Sequence, residues 1–289
     1  MKIIKSLVLF ILFTTSTVFA QSSNSLLWEV SGKGLSKPSY LFGTYHFAGK
    51  SFLDSLTIAS QKLQSAEAVV GELIIDPALA TKLVPHMMLT NNSLDKILSP
   101  ADYELVASVF NKYSGMDLKL FNALKPAAVQ MMMMQYLAPK SATETNPALD
   151  QYVQDYGKSK NLPVIGLEEM EDQVTVLFGA TLERQAEVLV KIAKDPQKNI
   201  AEANKLYTHF KDQNLKELEK LILENPDTTQ EELDKMLKHR NEKWMLKLPE
   251  IMAKQSAFIA VGAAHLITKD GLVELLKKAG YTVKPIKSL

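Results

Sequence analysis

The chain contains no cysteine. Disulfides, thiolate nucleophiles, Cys-ligated metal centres and lipidation on cysteine are therefore excluded, and stability has to come from packing. An excess of one charge is equally absent: 33 Lys and Arg stand against 32 Asp and Glu, for a net charge of +1. That balance leaves no electrostatic footprint for nucleic acid or a polyanionic substrate. There is no phosphate-cradling Gly-rich loop and no His-Glu-x-x-His, which removes kinase-like and zincin readings. Histidine is scarce, at five residues. No internal repeat, linker or low-complexity segment is visible, and no apolar run approaches the ~20 residues of a membrane span.

What is present begins with an export signature. In "MKIIKSLVLFILFTTSTVFAQ" two lysines precede an apolar run from Leu7 to Phe13, and Val18 and Ala20 stand before Gln21. This pattern predicts a signal peptide, residues 1–20, cleaved after Ala20. A retained anchor is the alternative, and the run is too short for it. The mature protein is expected to be periplasmic or secreted, with no membrane span after cleavage.

The remaining chain has ordinary globular composition, 46% hydrophobic and 22% charged over 289 residues, enough for one large domain or two small ones. "LLWEVSG" reads as an edge strand, and "SYLFGTYH", "AVVGELII", "LPVIGLE" and "SAFIAVGAAH" as buried strands. The early order β-β-α-β suggests a parallel pair joined by a helical crossover. Helical stripes fill most of the middle, among them "PADYELVASVFNKYS", "LKPAAVQMMMMQYL" and "NPALDQYVQDYGKSK", the last with Pro147 in its first turn and Gly157 near its end. "DGLVELLKKAG" reads as a helix with Asp270 as N-cap and Gly280 just past its end, followed by a last strand, "YTVKPI". The expected fold class is α/β: a central, mostly parallel β-sheet formed by the N- and C-terminal portions. A large helical insertion, about 77–160 and 170–254, completes a single domain over 21–289.

The chemistry-bearing residues cluster at the ends of these strands. Gly43-x-x-His46 and Gly262-x-x-His265 each terminate an apolar run. Glu72 sits inside another, and Glu168 and Glu169 close a third. In open α/β sheets ligands bind beyond the carboxyl ends of the strands, so parallel strands would bring two imidazoles and two or three carboxylates to one rim. Such a set suits Zn, Mn, Fe or Co. The glycine before each His is expected to let the backbone leave the strand sharply. The plain alternatives are solvated histidines and an edge Glu72 facing water, although a Glu within "AVVGELII" is rarely buried without a partner. His86, His209 and His239 read as surface or capping residues. Met131 to Met134 spread around a helix and read as core rather than as a soft-metal site. Arg240 reads either as a solvated helix charge or, with Asn241, as a buried pair near the rim.

Together, "LLWEVSGKGLSKPSYLFGTYHF", "LDQYVQDYGKSKNLPVIGLEEMEDQ", "HRNEKW" and "VGAAHLITKDGLVELLKKAGYTV" resemble the TraB/GumN family, whose members include TIKI-like metal-dependent proteases. The resemblance spans nearly the whole mature chain in order. It implies a fold akin to erythromycin esterase- and ChaN-like proteins. It also implies a divalent metal ion (Mn, Co, Zn or Fe), a peptide or protein substrate, and hydrolysis by metal-activated water. Residue by residue, it implies His46, Glu72 and His265 as metal ligands and Glu168 as general base or further ligand. Arg240 and Asn241 would orient substrate or stabilise an oxyanion, and Gly43, Gly262, Gln173 and Asp150 would contact substrate. One departure is visible: many relatives carry Glu-x-Asp where this chain reads Glu72, Leu73, Ile74. A non-catalytic metal- or haem-binding protein on the same scaffold is the competing reading.

Overall fold

In the computed structural model, residues 24–288 are described; the expected signal peptide lies outside them. Six strands form one sheet: β1 (Leu27–Ser31), β2 (Ser39–Thr44), β3 (Ala68–Gly71), β4 (Val164–Gly166), β5 (Ala257–Gly262) and β6 (Thr282–Ile286), in the spatial order β4-β3-β5-β2-β1-β6. Every residue of β2 and β3, and all but the last of β5, is buried. Strands covered on both faces need continuous apolar runs, and these three have them. At the edges β4 is only three residues long and β6 carries Pro285, both ordinary ways of blunting an edge.

The sheet is mixed rather than mostly parallel. β4, β3, β5 and β2 run parallel, whereas β1 pairs antiparallel with β2 and with β6. The expected crossover from β2 to β3 exists, but the two strands are not neighbours, because β5 lies between them. The apolar strand AFIAVG takes this interior position, with all but its last residue buried.

Other local expectations also shift. "FLDSLTIASQKLQSA" forms two helices, Lys50–Ser55 and Thr57–Ser65, broken at Leu56. The helix after Pro147 starts at Leu149 and runs to Ser159; Gly157 lies inside it, where a Cβ would stand 3.0 Å from Val69 and 3.1 Å from Val164. That glycine serves close helix–sheet packing, not termination. The last helix, Leu272–Lys278, has Gly271 rather than Asp270 at its N-cap. Its C-terminal end is as expected: Gly280 adopts φ +93°, and its N–H and that of Tyr281 bond back to Lys277 and Leu276.

Two large apolar cores result, with a small third cluster at Ala127, Ala128 and Phe178. One surrounds the sheet and includes Phe42, Phe258 and Trp244. The second is purely helical, built on Phe110, Leu118, Met133 and Leu189. Within the methionine run Met133 is 2% exposed and Met131 40%, so the run wraps a packed helix as its spacing predicts. His86 and His209 are half-buried on their helices and His239 is exposed.

The helical core is braced to the segment that approaches the sheet. Arg184, on the helix Leu182–Lys194, binds Glu232 with both arms of its fork, at 2.8 and 3.1 Å, and also the Asp227 carbonyl at 2.7 Å. The hydrogen bonds from Arg184, against a smaller opposing effect of burial, hold the Glu232 carboxyl at about 2, below its ordinary 4.5. A lowered folded-state value contributes stability that is complete above the unfolded value and is lost as pH falls toward the folded one. Glu232→Gln is therefore expected to cost about 1 kcal/mol near pH 7, the size of a partly exposed bidentate pair. In urea unfolding at a series of pH values, the gap to wild type should close between pH 4.5 and 2.

Candidate active site

The parallel half of the sheet brings its carboxyl ends into line. Thr44 pairs with Gly262 and Gly71 with Gly166. Just past this line stand His46 after β2, Glu72 after β3, Glu168 after β4 and His265 at the end of a single 3-10 turn, Ala263–His265, after β5.

A cation from the helical region reaches into this rim. The helical run Gln230–Trp244 contains a widened π turn at Asp234–Lys238 immediately before Arg240, and such turns change which side chains face inward. Arg240 Nε donates to Glu168 Oε2 at 3.0 Å. Its NH2 donates to Glu168 Oε1 and to Glu72 Oε2, both at 2.6 Å. NH1 meets the Met236 carbonyl at 3.2 Å and His265 Nε2 at 2.9 Å. All five guanidinium hydrogens are thus committed. The Arg240 side chain is 14% exposed, Glu72 10% and Glu168 0%, so Arg240 is a buried centre of charge rather than a solvated one.

Each partner is held from a second side. Glu72 Oε1 accepts the Gly262 N–H at 2.7 Å, and Glu168 Oε2 accepts Trp244 Nε1–H at 3.1 Å. His265 Nδ1 bonds Asn241 Oδ1 at 2.8 Å, and the Asn241 amide donates to the Asp270 carbonyl at 2.9 Å. With Arg240 donating to Nε2, the ring is the neutral Nδ1–H tautomer. Burial, with Arg240 and His46 adding to it and Glu72 opposing, drives the His265 pKa down to about 3. Burial also disfavours the Glu72 anion, yet His265, Arg240, His46 and the Gly262 amide outweigh it and hold its pKa at about 2. For Arg240, burial is outweighed by its two carboxylate partners, and its pKa is raised.

His46 stands on the open side. Its Nδ1 lies 2.9 Å from Asp150 Oδ2, and Thr44 Oγ1 donates to Asp150 Oδ1 at 2.6 Å. Asp150 occupies the first turn of the helix Leu149–Ser159. The hydrogen bond and charge of Asp150, against desolvation, raise the His46 pKa; its side chain is 69% exposed, and solvent tempers that pull. His46, Glu72, Asp150 and Gln173 all border one cavity of about 360 Å³.

The predicted residues therefore assemble on one rim, with several roles redrawn. Asn241 is buried beneath His265 and fixes its ring; it does not face the cavity. Glu168 has both oxygens engaged and sealed from solvent, and this keeps it from acting as a free base in this arrangement. Arg240 has no donor left for a substrate. The two motif glycines serve close approach, since neither has a positive φ. A Cβ on Gly43 would meet Leu26 and Leu266 at 3.0 Å and Ala263 Cα at 3.1 Å, and one on Gly262 would meet Glu72 Oε1 at 3.3 Å.

Sequence reasoning passed over three residues: Thr44, Trp244 and Gln154. Thr44 sits two residues before His46 in the Gly-Thr-Tyr-His run. Trp244 lies four residues after Arg240, hence on the same helix face. Gln154 likewise lies four after Asp150; it is 2% exposed, accepts from the Ile75 N–H at 2.9 Å and donates to the Leu73 carbonyl at 2.8 Å.

The expected ligand set is not drawn around a common point. No group of three or more His, Asp or Glu placed to share a metal ion occurs among the described residues. The reason is the Arg240 guanidinium, which fills the space between Glu72, Glu168 and His265. The donor chemistry nevertheless suits a divalent cation. Both imidazoles are anchored through Nδ1, one on a carboxylate and one on an amide oxygen, which is how metal-ligating histidines are oriented. Glu72 Oε1 lies 3.8 Å from His265 Nε2.

Among curated proteins the chain is similar to the metalloprotease TIKI2 of Danio rerio, at 21% identity over 92% of this chain and 62% of that protein. It thus spans less than two thirds of that relative's length. No solved structure matches. No helix of the described residues is long and apolar enough to cross a membrane. The model of the TraB/PrgY/gumN family matches residues 26–285, and the chain belongs to that family.

Proposed function

We propose that this protein is an exported, metal-dependent hydrolase acting on peptide or protein substrates at the rim formed by β2, β3, β4 and β5. The observation that carries the reading is the paired anchoring of His46 on Asp150 and His265 on Asn241, with Glu72 lining one cavity with His46 and lying 3.8 Å from the buried His265. The similarity to a metalloprotease supports it. His46, Glu72 and His265 would hold the cation, and the His and carboxylate donors admit Zn, Mn, Co or Fe. A divalent cation there supplies Lewis acidity toward a scissile carbonyl and lowers the pKa of water.

This chain's own residues do the rest. Asp150 and Asn241 set the ring tautomers, and Trp244 packs against the His265 ring with centroids 4.3 Å apart. Glu168 holds Arg240 beside Glu72. Were Glu72 and His265 to hold a cation, the two Arg240 hydrogens now on them would be released and could bond an oxyanion.

The test is elemental analysis and calorimetric titration with Mn, Zn, Co and Fe(II) on mature protein purified without chelator, followed by peptide-library cleavage read by mass spectrometry. Stoichiometric metal, lost in the His46→Ala, His265→Ala double variant, and metal-dependent cleavage are expected. Asp150→Asn should weaken metal binding by about 10–100-fold, the usual cost of losing such an outer partner. Failure to bind any of these metals on reconstitution overturns the reading. The saturation of Glu168 favours one alternative, a non-catalytic metal-binding protein, and metal binding without cleavage would select it. A haem carrier is disfavoured by a cavity of about 360 Å³, at the small end of ligand sites.

A further inference from the structure

The cavity beside His46 and Glu72 has a division of character that the proposed chemistry does not use. One end is polar, formed by His46, Glu72 and Asp150. Most of the rest is aliphatic, with Val70, Leu73, Ile75, Leu79, Val153 and Ala260, and three neutral amides, Gln151, Gln154 and Gln173, complete the lining. Of these amides Gln154 is the buried one, 2% exposed, and it accepts from Ile75 N–H and donates to the Leu73 carbonyl. It closes the loop after β3 onto the helix Leu149–Ser159, and these two bonds hold its amide against the loop. No Lys or Arg lines the cavity.

These features rank the occupants. A side chain bearing a carboxylate would meet Glu72 and Asp150 at the mouth, and beyond His46 it would bury its charge among aliphatic groups. A Lys or Arg side chain would be drawn to the mouth but would bury its charge among aliphatic groups, with no carboxylate deeper in the lining to pair with it. An unbranched or branched aliphatic side chain meets neither penalty and exchanges water for apolar contact. The volume of about 360 Å³ suits one such side chain with its flanking backbone.

We propose that the Val70–Leu79–Val153 cavity is a substrate subsite selecting an aliphatic side chain next to the reacting carbonyl, which His46 and Glu72 face from the cavity mouth. The substrate class is then a peptide with Leu, Ile, Val or Met at that position. This rests on the hydrolase reading for the carbonyl but not for the binding of the side chain.

The test separates the two. N-acetyl-leucinamide, N-acetyl-glycinamide and N-acetyl-aspartamide are titrated into the full mature protein, and methyl shifts are followed by NMR; neither cleavage nor metal is needed. The leucine compound should bind at least about 10-fold more tightly than the glycine compound, the scale of discrimination in an apolar pocket, with shifts at Val70, Leu79 and Val153. The aspartate compound should bind no better than the glycine compound. Leu79→Ala, on a half-buried helix residue outside the polar cluster, should weaken leucinamide binding several-fold with an unchanged melting curve. Leu73→Trp, which fills the cavity, should abolish it. Equal binding of leucine and glycine compounds, no binding of either, or shifts confined elsewhere overturns the subsite. Leucinamide binding in a protein that cleaves no peptide leaves the subsite standing and removes the hydrolase. Peptide cleavage without aliphatic preference does the reverse.

Discussion

Replacing Arg240 by alanine should cost about 3–5 kcal/mol of folding free energy, the cost of breaking a buried ion pair by deleting one partner. The loss is not of one contact. Glu72 and Glu168 are 10% and 0% exposed and depend on the same guanidinium; without it two carboxylates face each other under a buried imidazole. Met236 and His265 lose their donors as well. Urea unfolding of wild type and Arg240→Ala reads the difference. Arg240→Lys should fall between them, because an ammonium restores charge but not the two-armed geometry on Glu168. A double variant, Arg240→Met with Glu168→Gln, should recover part of the loss by removing one of the stranded charges. A cost below about 1 kcal/mol for Arg240→Ala, the range of an exposed pair, would mean that the centre of charge is not closed to solvent.

Trp244→Ala should be comparably damaging, about 3–5 kcal/mol by the usual scale for deleting a buried aromatic. Trp244 is fully buried and among the largest such side chains in the protein. It joins three parts of the site: its ring lies 4.3 Å from the His265 ring, Arg240 stacks 4.9 Å above it, and its N–H supports Glu168. Trp244→Phe keeps most of the apolar volume and removes the donor, so it isolates the hydrogen bond, about 1.5–3 kcal/mol for one to a charged acceptor. If the phenylalanine variant loses as much as alanine, the indole N–H rather than the packing holds the site together. If it loses nothing, Glu168 is held by Arg240 alone.

Much of this architecture is legible along the chain. The runs SYLFGT, AVVG and AFIAVG are apolar at every position or nearly so, and only strands covered on both faces tolerate that. The polar residues that close them, His46, Glu72 and His265, share one rim with Glu168 after β4 because these four strands run parallel. The family resemblance singled out Asp150 as a substrate contact; its pairing with His46 came only from the fold. Trp244 and Gln154 each lay one helical turn beyond a residue already singled out, at i+4 from Arg240 and Asp150, so that signal was present and unused.

LLWEVSG, expected at an edge, lies between β2 and β6, and LPVIGLE, expected buried, gives the half-buried edge strand β4. Local order is nonetheless legible along the chain: that AVVG and AFIAVG are buried strands, that the middle is helical, that the last helix stops at Gly280, and which residue types end each strand. Each of these follows from side-chain periodicity or from the conformational range of one residue, and needs no distant partner. Tertiary structure alone decided the rest. It inserted β5 between β2 and β3, because a strand's neighbours are set by which faces the whole fold can cover. It turned the motif glycines into points of close packing, because a Cβ clash depends on atoms two hundred residues away. It carried Arg240 from a polar-looking helix into the space between Glu72, Glu168 and His265. The π turn at Asp234–Lys238 and the seat of the helix on the sheet decide that placement, and two buried carboxylates make a cation necessary where they meet.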